Sequence, residues 1–384
     1  MMKIQTLNKI AAVGTDQFDK NKYDLADNHT DPDAILVRSA ALHDMELSAS
    51  LKAIARAGAG VNNIPVEKCT EQGIVVFNTP GANANAVQEL AVCGLILASR
   101  DIVEGINWVQ GLTGDDVAKQ VEKGKSAFVG PEIKGKTLGV VGLGAIGAIF
   151  ANSAAKLGMN VIGYDPFITV DAAWGLSAKV KKAGSLKEIY EESDYISLHL
   201  PLNDETKGMI NDEVLLTVKK GVRFLNFARA ALVDEAAMIK ATQDGTVARY
   251  VVDFPTPGLI NKKNIIQIPH LGASTPESED NCAQMAAYET LQYLEKGNII
   301  NSVNFPTCLL ESTGSQRVCV IHENVPNMVG QITSIFAKEN INIAGMINKS
   351  RGNIAYTVID IDGMANGCVE KITEIAEVKS VRII

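Results

Sequence analysis

The chain has 384 residues, 46% of them hydrophobic and 21% charged, with a formal net charge of -8. That length suits two or three domains rather than one, and the composition carries none of the bias that marks disorder. The negative balance weighs against a nucleic-acid or anionic-membrane partner, although a few arginines in a cleft would still hold a small anion.

Six cysteines (Cys69, Cys93, Cys282, Cys308, Cys319, Cys368) are scattered with no CxxC pair. The spacing argues against a zinc site or a disulfide framework and for a reducing cytoplasm, so no metal is expected. The opening "MMKIQTLNKIAAVG" lacks the long apolar core of a signal peptide. The uncharged run between Lys136 and Lys156 is nearly long enough to span a bilayer. Its glycines cluster at one point, however, and Asn152 and Ser153 interrupt it. A strand, a tight turn and a helix explain it better, and no membrane partner is expected.

In chain order, "KIAAVG", "AILVRSA", "LKAIARAG" and "GIVVFNTPG" are short apolar runs ending in turn signals, separated by helix-compatible segments. That alternation predicts a parallel sheet with helices on its faces. The apolar helical segment "NAVQELAVCGLILASRDI" follows, then a polar stretch to about Glu132. A second series begins at Lys136, with strands expected at "TLGVVG", "NVIGYD", "YISLHLP", "VRFLNFA", "ARYVVDF" and "NIIQIPH". From Pro276 a long helix opens with proline and acidic residues, as a helix N-terminus should. It is expected to pack back onto the first domain and make it discontinuous, giving residues 1–98 with 277–306, then 99–276. After a linker, residues 315–384 read as βαββαβ, the ferredoxin-like order, with Val329, Ile332, Ile335 and Phe336 on one helical face.

"GLGAIG" places Gly142, Gly144 and Gly147 in the G-x-G-x-x-G spacing between a strand and a helix, and the next strand ends in Asp165. This context predicts a dinucleotide: glycines admit the pyrophosphate, the helix N-terminus complements its charge, and Asp165 accepts ribose hydroxyls. Asp165 would repel a 2′-phosphate, so NAD is favoured over NADP. Pro201, Arg229, Asp253 and His270 all fall at the carboxyl ends of expected strands, where open α/β sheets bind ligands. His199 lies on that rim but is assigned no catalytic work, and His29 and His43 read as surface residues.

"GLGAIG", "NFARAALVDEAAM" and "IPHLGAST" together resemble the D-isomer-specific 2-hydroxyacid dehydrogenases, and the C-terminal unit resembles an ACT domain. The resemblance implies a flavodoxin-like substrate domain, a Rossmann NAD domain and a regulatory ACT domain. It implies NAD-linked oxidation of a phosphorylated 2-hydroxy acid, D-3-phosphoglycerate. Arg229 matches the arginine that binds the substrate carboxylate, and His270 the acid/base for the C2 hydroxyl proton. Asp253 matches a residue contacting the nicotinamide carboxamide. Ala145, Ile146, Pro201, Phe227, Ala228 and Gly272 match further cofactor neighbours, with Arg229 and His270 also beside the cofactor. Arg38, Ser39 and Arg56 match positions near the substrate phosphate. In the C-terminal unit, His322, Asn324 and Asn342 match residues that hold an L-serine effector between paired subunits, so a homo-oligomer is expected. Asn327 stands where the family commonly has glycine.

One departure concerns the histidine. Most of the family place a glutamate a few residues after the equivalent of Asp253, bonded to the catalytic imidazole; here Pro257 and Gly258 occupy that place. His270 is therefore expected to work alone or with an acid from elsewhere, Glu277 being the nearest after it. Two other readings stay open: a reductase for glyoxylate or hydroxypyruvate, and an NAD-sensing protein without turnover.

Overall fold

Runs of Val, Ile and Ala bounded by turn residues become strands buried on both faces, as a helix-covered parallel sheet requires. The computed structural model describes residues 1–365 and 367–384. These residues divide into two units, Met1–Asn83 with Pro276–Ile384, and Ala84–Thr275.

The first unit opens with β1 (Met2–Leu7), α1 (Ala12–Thr15), β2 (Tyr23–Ala26), β3 (Ala34–Val37), β4 (Ala53–Arg56), α2 (Val66–Glu71) and β5 (Val75–Phe77). Its strands form a parallel sheet in the order β2-β1-β3-β4-β5. The first strand differs from the sequence expectation. "KIAAVG" is loop and short helix, and the strand is "MKIQTL" before it. The physical reason is a close approach: a Cβ on Gly14 would lie 2.5 Å from the Ala283 carbonyl oxygen. Small residues there serve backbone-to-backbone packing of helices, which mimics a strand's apolar run.

The second unit holds α3 (Ala84–Ser99), α4 (Ile102–Gln110), α5 (Val117–Gly124), β6 (Thr137–Val141), α6 (Ala145–Lys156), β7 (Asn160–Tyr164), α7 (Val170–Trp174), β8 (Val180–Lys182), α8 (Leu186–Glu192), β9 (Tyr195–Leu198), α9 (Asp212–Leu215), β10 (Val222–Asn226), α10 (Glu235–Asp244), β11 (Val247–Val252) and β12 (Ile265–Gln267). All seven strands are parallel, in the order β12-β11-β10-β9-β6-β7-β8. The order runs outward in both directions from β6 and β9, so their carboxyl ends mark the topological switch point. The glycine turn sits there. The unit begins at Ala84, where the sequence boundary was expected after residue 98, and takes in all of α3. Gly94 of α3 presses on the Phe227 ring, 2.7 Å from where its Cβ would be.

The chain returns to the first unit through α11 (Pro276–Lys296), whose buried face includes Ala283, Ala286, Glu289 and Tyr293. After it come β13 (Gln316–Glu323), α12 (Met328–Lys338), β14 (Asn342–Arg351), β15 (Ile354–Asp362), α13 (Cys368–Thr373) and β16 (Val378–Ile383). They form an antiparallel sheet in the order β14-β15-β13-β16. One sheet face packs Val318, Val320 and Ile359 on Ile332, Phe336 and Ile372 of the two helices. The other face puts Cys319, Ile321 and Tyr356 into the same buried cluster as Tyr293 and Phe77. The C-terminal sheet is thus not free-standing within this unit. A buried ion pair, Arg317 Nε to Asp360 Oδ1 at 2.6 Å, fastens it, and Arg317 Nη1 also donates to the Lys296 carbonyl at the end of α11.

Among the described residues no helix is long and apolar enough to cross a membrane. Nor is there, among them, a group of three or more His, Cys, Asp or Glu side chains arranged to hold a metal ion.

Candidate active site

Two of the three glycines of the turn after β6 are fixed by close neighbours. Gly142 has φ 91, a conformation side chains rarely adopt, and its Cβ would come within 2.5 Å of the His199 carbonyl oxygen. Gly147, in the first turn of α6, lies so close to the Gly142 carbonyl that any Cβ would overlap it. Gly144 is the residue preceding α6, and a Cβ there would meet nothing within 4 Å. Gly144 and Ala145 are exposed and Ile146 half-buried. The helix therefore presents its first-turn N–H groups, which have no partner within the helix, to open space. That arrangement fits a diphosphate.

Asp165, just past β7, completes this corner. Its Oδ2 accepts from the Leu143 amide and its Oδ1 from the Phe167 amide, each at 2.8 Å. The carboxylate is thus held at the turn with lone pairs left for ribose hydroxyls. Beneath the turn, His199 packs on Phe150 with ring centroids 5.1 Å apart and bonds to the Ser197 hydroxyl at 2.9 Å. Burial pushes its imidazole down to about 4, so it is neutral under ordinary conditions. His199 is a packing residue. Pro201 is exposed beyond it, and its carbonyl accepts from the Thr206 hydroxyl.

Arg229 and His270 follow β10 and β12, with β11 between them in the sheet. Both meet one ring. The Phe254 ring centroid lies 5.9 Å from the Arg229 guanidinium carbon and 4.7 Å from the His270 ring. A cation over an aromatic face is attracted to it, and here the contact also orients the guanidinium. The turn before Arg229 is set by Asn226, which is fully buried. Its Oδ1 accepts from the Ala228 and Arg229 amides, and its Nδ2 donates to the Arg229 carbonyl. Phe227 is buried against α3, Ala228 is half-buried and Arg229 is exposed. Asn226 and Phe254 were not singled out in the sequence, though both neighbour residues that were.

His270 is exposed and has φ 53, a left-handed conformation costly for a ring-bearing side chain. Asp253 holds it there. Its two carboxylate oxygens accept from the Leu271 and Gly272 amides, each at 2.8 Å, and the residue is 1% exposed. A Cβ at Gly272 would stand 2.9 Å from the Asp253 Oδ2. Asp253 thus has a structural task in shaping the histidine loop. Burial raises its pKa, against the pull of those two amides and of His270.

The space that a side chain at position 258 would fill is taken by the Glu235 carboxylate, from the first turn of α10. A Gly258 Cβ would overlap its Oε1, and its Oε2 accepts from the Thr256 hydroxyl. A carboxylate therefore does sit on the loop where the family's acid was missing, but it arrives from another element and clamps the loop. Glu277, the acid considered from the sequence, lies in α11 of the first unit.

In the first unit, Arg38 follows β3 and Arg56 ends β4, at the carboxyl edge of the sheet. Arg38 pairs with Glu279 of α11 at 2.7 Å. Arg56 donates from Nε to the Arg38 carbonyl at 3.0 Å and from Nη1 to the Gly60 carbonyl at 2.5 Å. Ser39 is exposed, with its amide bonded to Asn8 Oδ1 at 2.9 Å. In the C-terminal sheet, His322 is only 1% exposed, and its ring nitrogens bond to the Glu323 carbonyl and the Thr357 hydroxyl. Asn324 and Asn342 are exposed. Asn327 takes φ 68 at the head of α12, as its tolerance of that conformation allows.

Comparison with known proteins agrees with this geometry. Residues 94–272 match the family model described as "D-isomer specific 2-hydroxyacid dehydrogenase, NAD binding domain". The chain is 31% identical over 334 residues to the D-3-phosphoglycerate dehydrogenase of Haemophilus influenzae, covering 83% of this chain and 77% of the relative. The chain belongs to the D-isomer-specific 2-hydroxyacid dehydrogenase family. It is also 33% identical over 331 residues to the D-3-phosphoglycerate dehydrogenase of Bacillus subtilis, covering 84% of this chain but only 60% of that relative. The match thus spans about three fifths of that longer relative. Among solved structures, NAD+-bound 3-phosphoglycerate dehydrogenase of Entamoeba histolytica superposes with a TM-score of 0.62 at 28% identity, over 79% of this chain and 98% of that one. The glycine turn and Asp165 thus lie within the stretch that matches an NAD-binding domain.

Proposed function

We propose that the chain oxidises D-3-phosphoglycerate to 3-phosphohydroxypyruvate. The observation that carries this reading is the shared ring: one cation and one imidazole, from separate strand ends, both rest on Phe254. When bound, NAD supplies a hydride acceptor. The residues of this chain do the rest. The first turn of α6 holds the diphosphate, Asp165 the ribose, and Arg229 the substrate carboxylate and C2 oxygen. His270 takes the hydroxyl proton as the C2 hydrogen departs with its electron pair, which leaves a C2 carbonyl. The first unit is assigned the substrate's phosphate, through Arg38, Arg56 and Ser39, and the C-terminal sheet a regulatory role.

The assay that tests this follows NADH consumption with 3-phosphohydroxypyruvate, hydroxypyruvate and glyoxylate in parallel. The phosphorylated acid should lead in kcat/KM by about tenfold or more, the scale of one charged hydrogen bond. Equal or reversed preference would favour the glyoxylate or hydroxypyruvate reductase, and NADH binding without turnover would favour a sensor.

Two further assignments accompany this reading. Helix α4 has no buried residue and turns Ile102, Ile106 and Val109 outward at helical spacing. We assign that face to a second copy of the chain, so that the protein is a homo-oligomer. An L-serine effector is assigned to His322 and Asn324 at the carboxyl end of β13, together with Asn342 at the start of β14 of a second copy. Titration with L-serine should lower the rate in the wild type and have less effect on an Asn324→Ala variant. An insensitive wild type would leave the sheet a purely structural part.

A further inference from the structure

The two arginines assigned to the phosphate are not equally free to meet one. Arg56 is built into its surroundings: its Nε holds the Arg38 carbonyl and its Nη1 the Gly60 carbonyl. A Cβ at Gly58 would stand 2.8 Å from that Nη1, so the loop is moulded around the guanidinium. The consecutive Ser39 and Ala40 amides are not open to an anion, since both donate to Asn8 Oδ1, at 2.9 and 2.7 Å. Arg38 differs. Its Nη2 is held at 2.7 Å by Glu279 Oε1, and the two side chains are 40% and 43% exposed. An ion pair so open to water is weak and exchanges readily.

We propose that Glu279 is an internal counter-anion for Arg38, competing with the substrate's phosphate and limiting the preference for phosphorylated substrates. This rests on the phosphoglycerate reading given above. The Glu279 carboxylate marks the place an oxyanion takes on Arg38. An arriving phosphate must displace it and then lie beside its negative charge. The acid does have a second task, since it stands in the first turn of α11, where negative charge complements the helix dipole.

The test compares wild type, Glu279→Gln and Arg38→Ala with phosphorylated and plain hydroxypyruvate, and measures inhibition by inorganic phosphate. Glutamine keeps the shape and removes the charge. Glu279→Gln should lower KM for the phosphorylated substrate about fivefold with kcat unchanged, the scale of an exposed pair. It should leave plain hydroxypyruvate unaffected and make inorganic phosphate a stronger competitor. Arg38→Ala should erase most of the preference. A raised KM in Glu279→Gln would overturn the inference in favour of Glu279 positioning Arg38. A lower melting temperature with unchanged selectivity would overturn it in favour of the helix role alone. If Arg38→Ala erases the preference while Glu279→Gln leaves it, only the competition fails. If Arg38→Ala leaves the preference intact, the phosphate assignment itself fails, and the competition with it.

Discussion

Replacing His270 by alanine should lower kcat by about 10²–10⁴-fold, the usual worth of a positioned acid/base, and leave NADH binding nearly intact. Replacing Asp253 by asparagine should cost about 10–100-fold by a different route. The carboxylate offers one oxygen to each of the Leu271 and Gly272 amides. A carboxamide keeps one oxygen and turns an NH2 toward the other amide. That amide loses its partner in a buried place, at a cost of about 1–3 kcal/mol. The left-handed conformation at His270, φ 53, loses its support at the same time. The imidazole is then present but loosely aimed, so kcat should fall more than KM rises. Acidity offers an independent check. Burial raises the Asp253 pKa above 3.8, so its protonation should weaken the loop at a higher pH than an ordinary aspartate would. The wild type should therefore show an acid limb displaced upward from that of an ordinary aspartate, and Asp253→Asn should lose that limb. A rate profile of unchanged shape, or His270→Ala with wild-type kcat, would remove these residues from the chemistry.

The parts of this site that sequence made legible are those governed by local rules. A glycine spacing between a strand and a helix, and a charged residue placed just after an apolar run, are properties of a few consecutive residues. The same holds for the strands themselves: β3 and β5 are unbroken apolar runs, and β4 is one up to Arg56, because both faces are covered. Two of the edge strands escaped this logic. β2 reads "YDLA" and β8 "VKK", and neither has enough apolar character to announce itself. What stayed hidden was pairing across the fold. Nothing near Arg38 points to Glu279, and nothing near Gly258 points to Glu235, because both acids come from distant helix N-termini. Asp253 illustrates the limit well. Its position at a strand end marked it as functional, but only the fold shows its oxygens turned to the backbone of the histidine loop rather than outward.

Glu289 carries the largest expected effect on stability, and its sign depends on pH. It lies on α11 with 0% exposure, its Oε1 accepts from Asn301 Nδ2 at 2.7 Å, and its Oε2 has no partner. Desolvation pushes its carboxyl up from 4.5 to about 8, against the weaker opposing pull of Asn301. The folded chain thus keeps a proton that the unfolded chain releases. Between pH 4.5 and about 8, unfolding frees that proton, so this residue's contribution falls steadily as pH rises and levels off above 8. At about 1.4 kcal/mol per pH unit the whole fall is at most about 5 kcal/mol. Glutamine has the same shape and no proton to lose. Near pH 4.5 the Glu289→Gln variant should match the wild type, since each then carries a neutral side chain. At pH 8.5 it should be more stable by about 2–4 kcal/mol, below the full figure because the orphaned oxygen gains no partner from the substitution. Urea unfolding at the two pH values measures the difference directly, and changes common to both proteins cancel. Two curves that stay parallel from pH 4.5 to 8.5 would mean that Glu289 is ionised in the folded protein and that water or a neighbouring group satisfies it there.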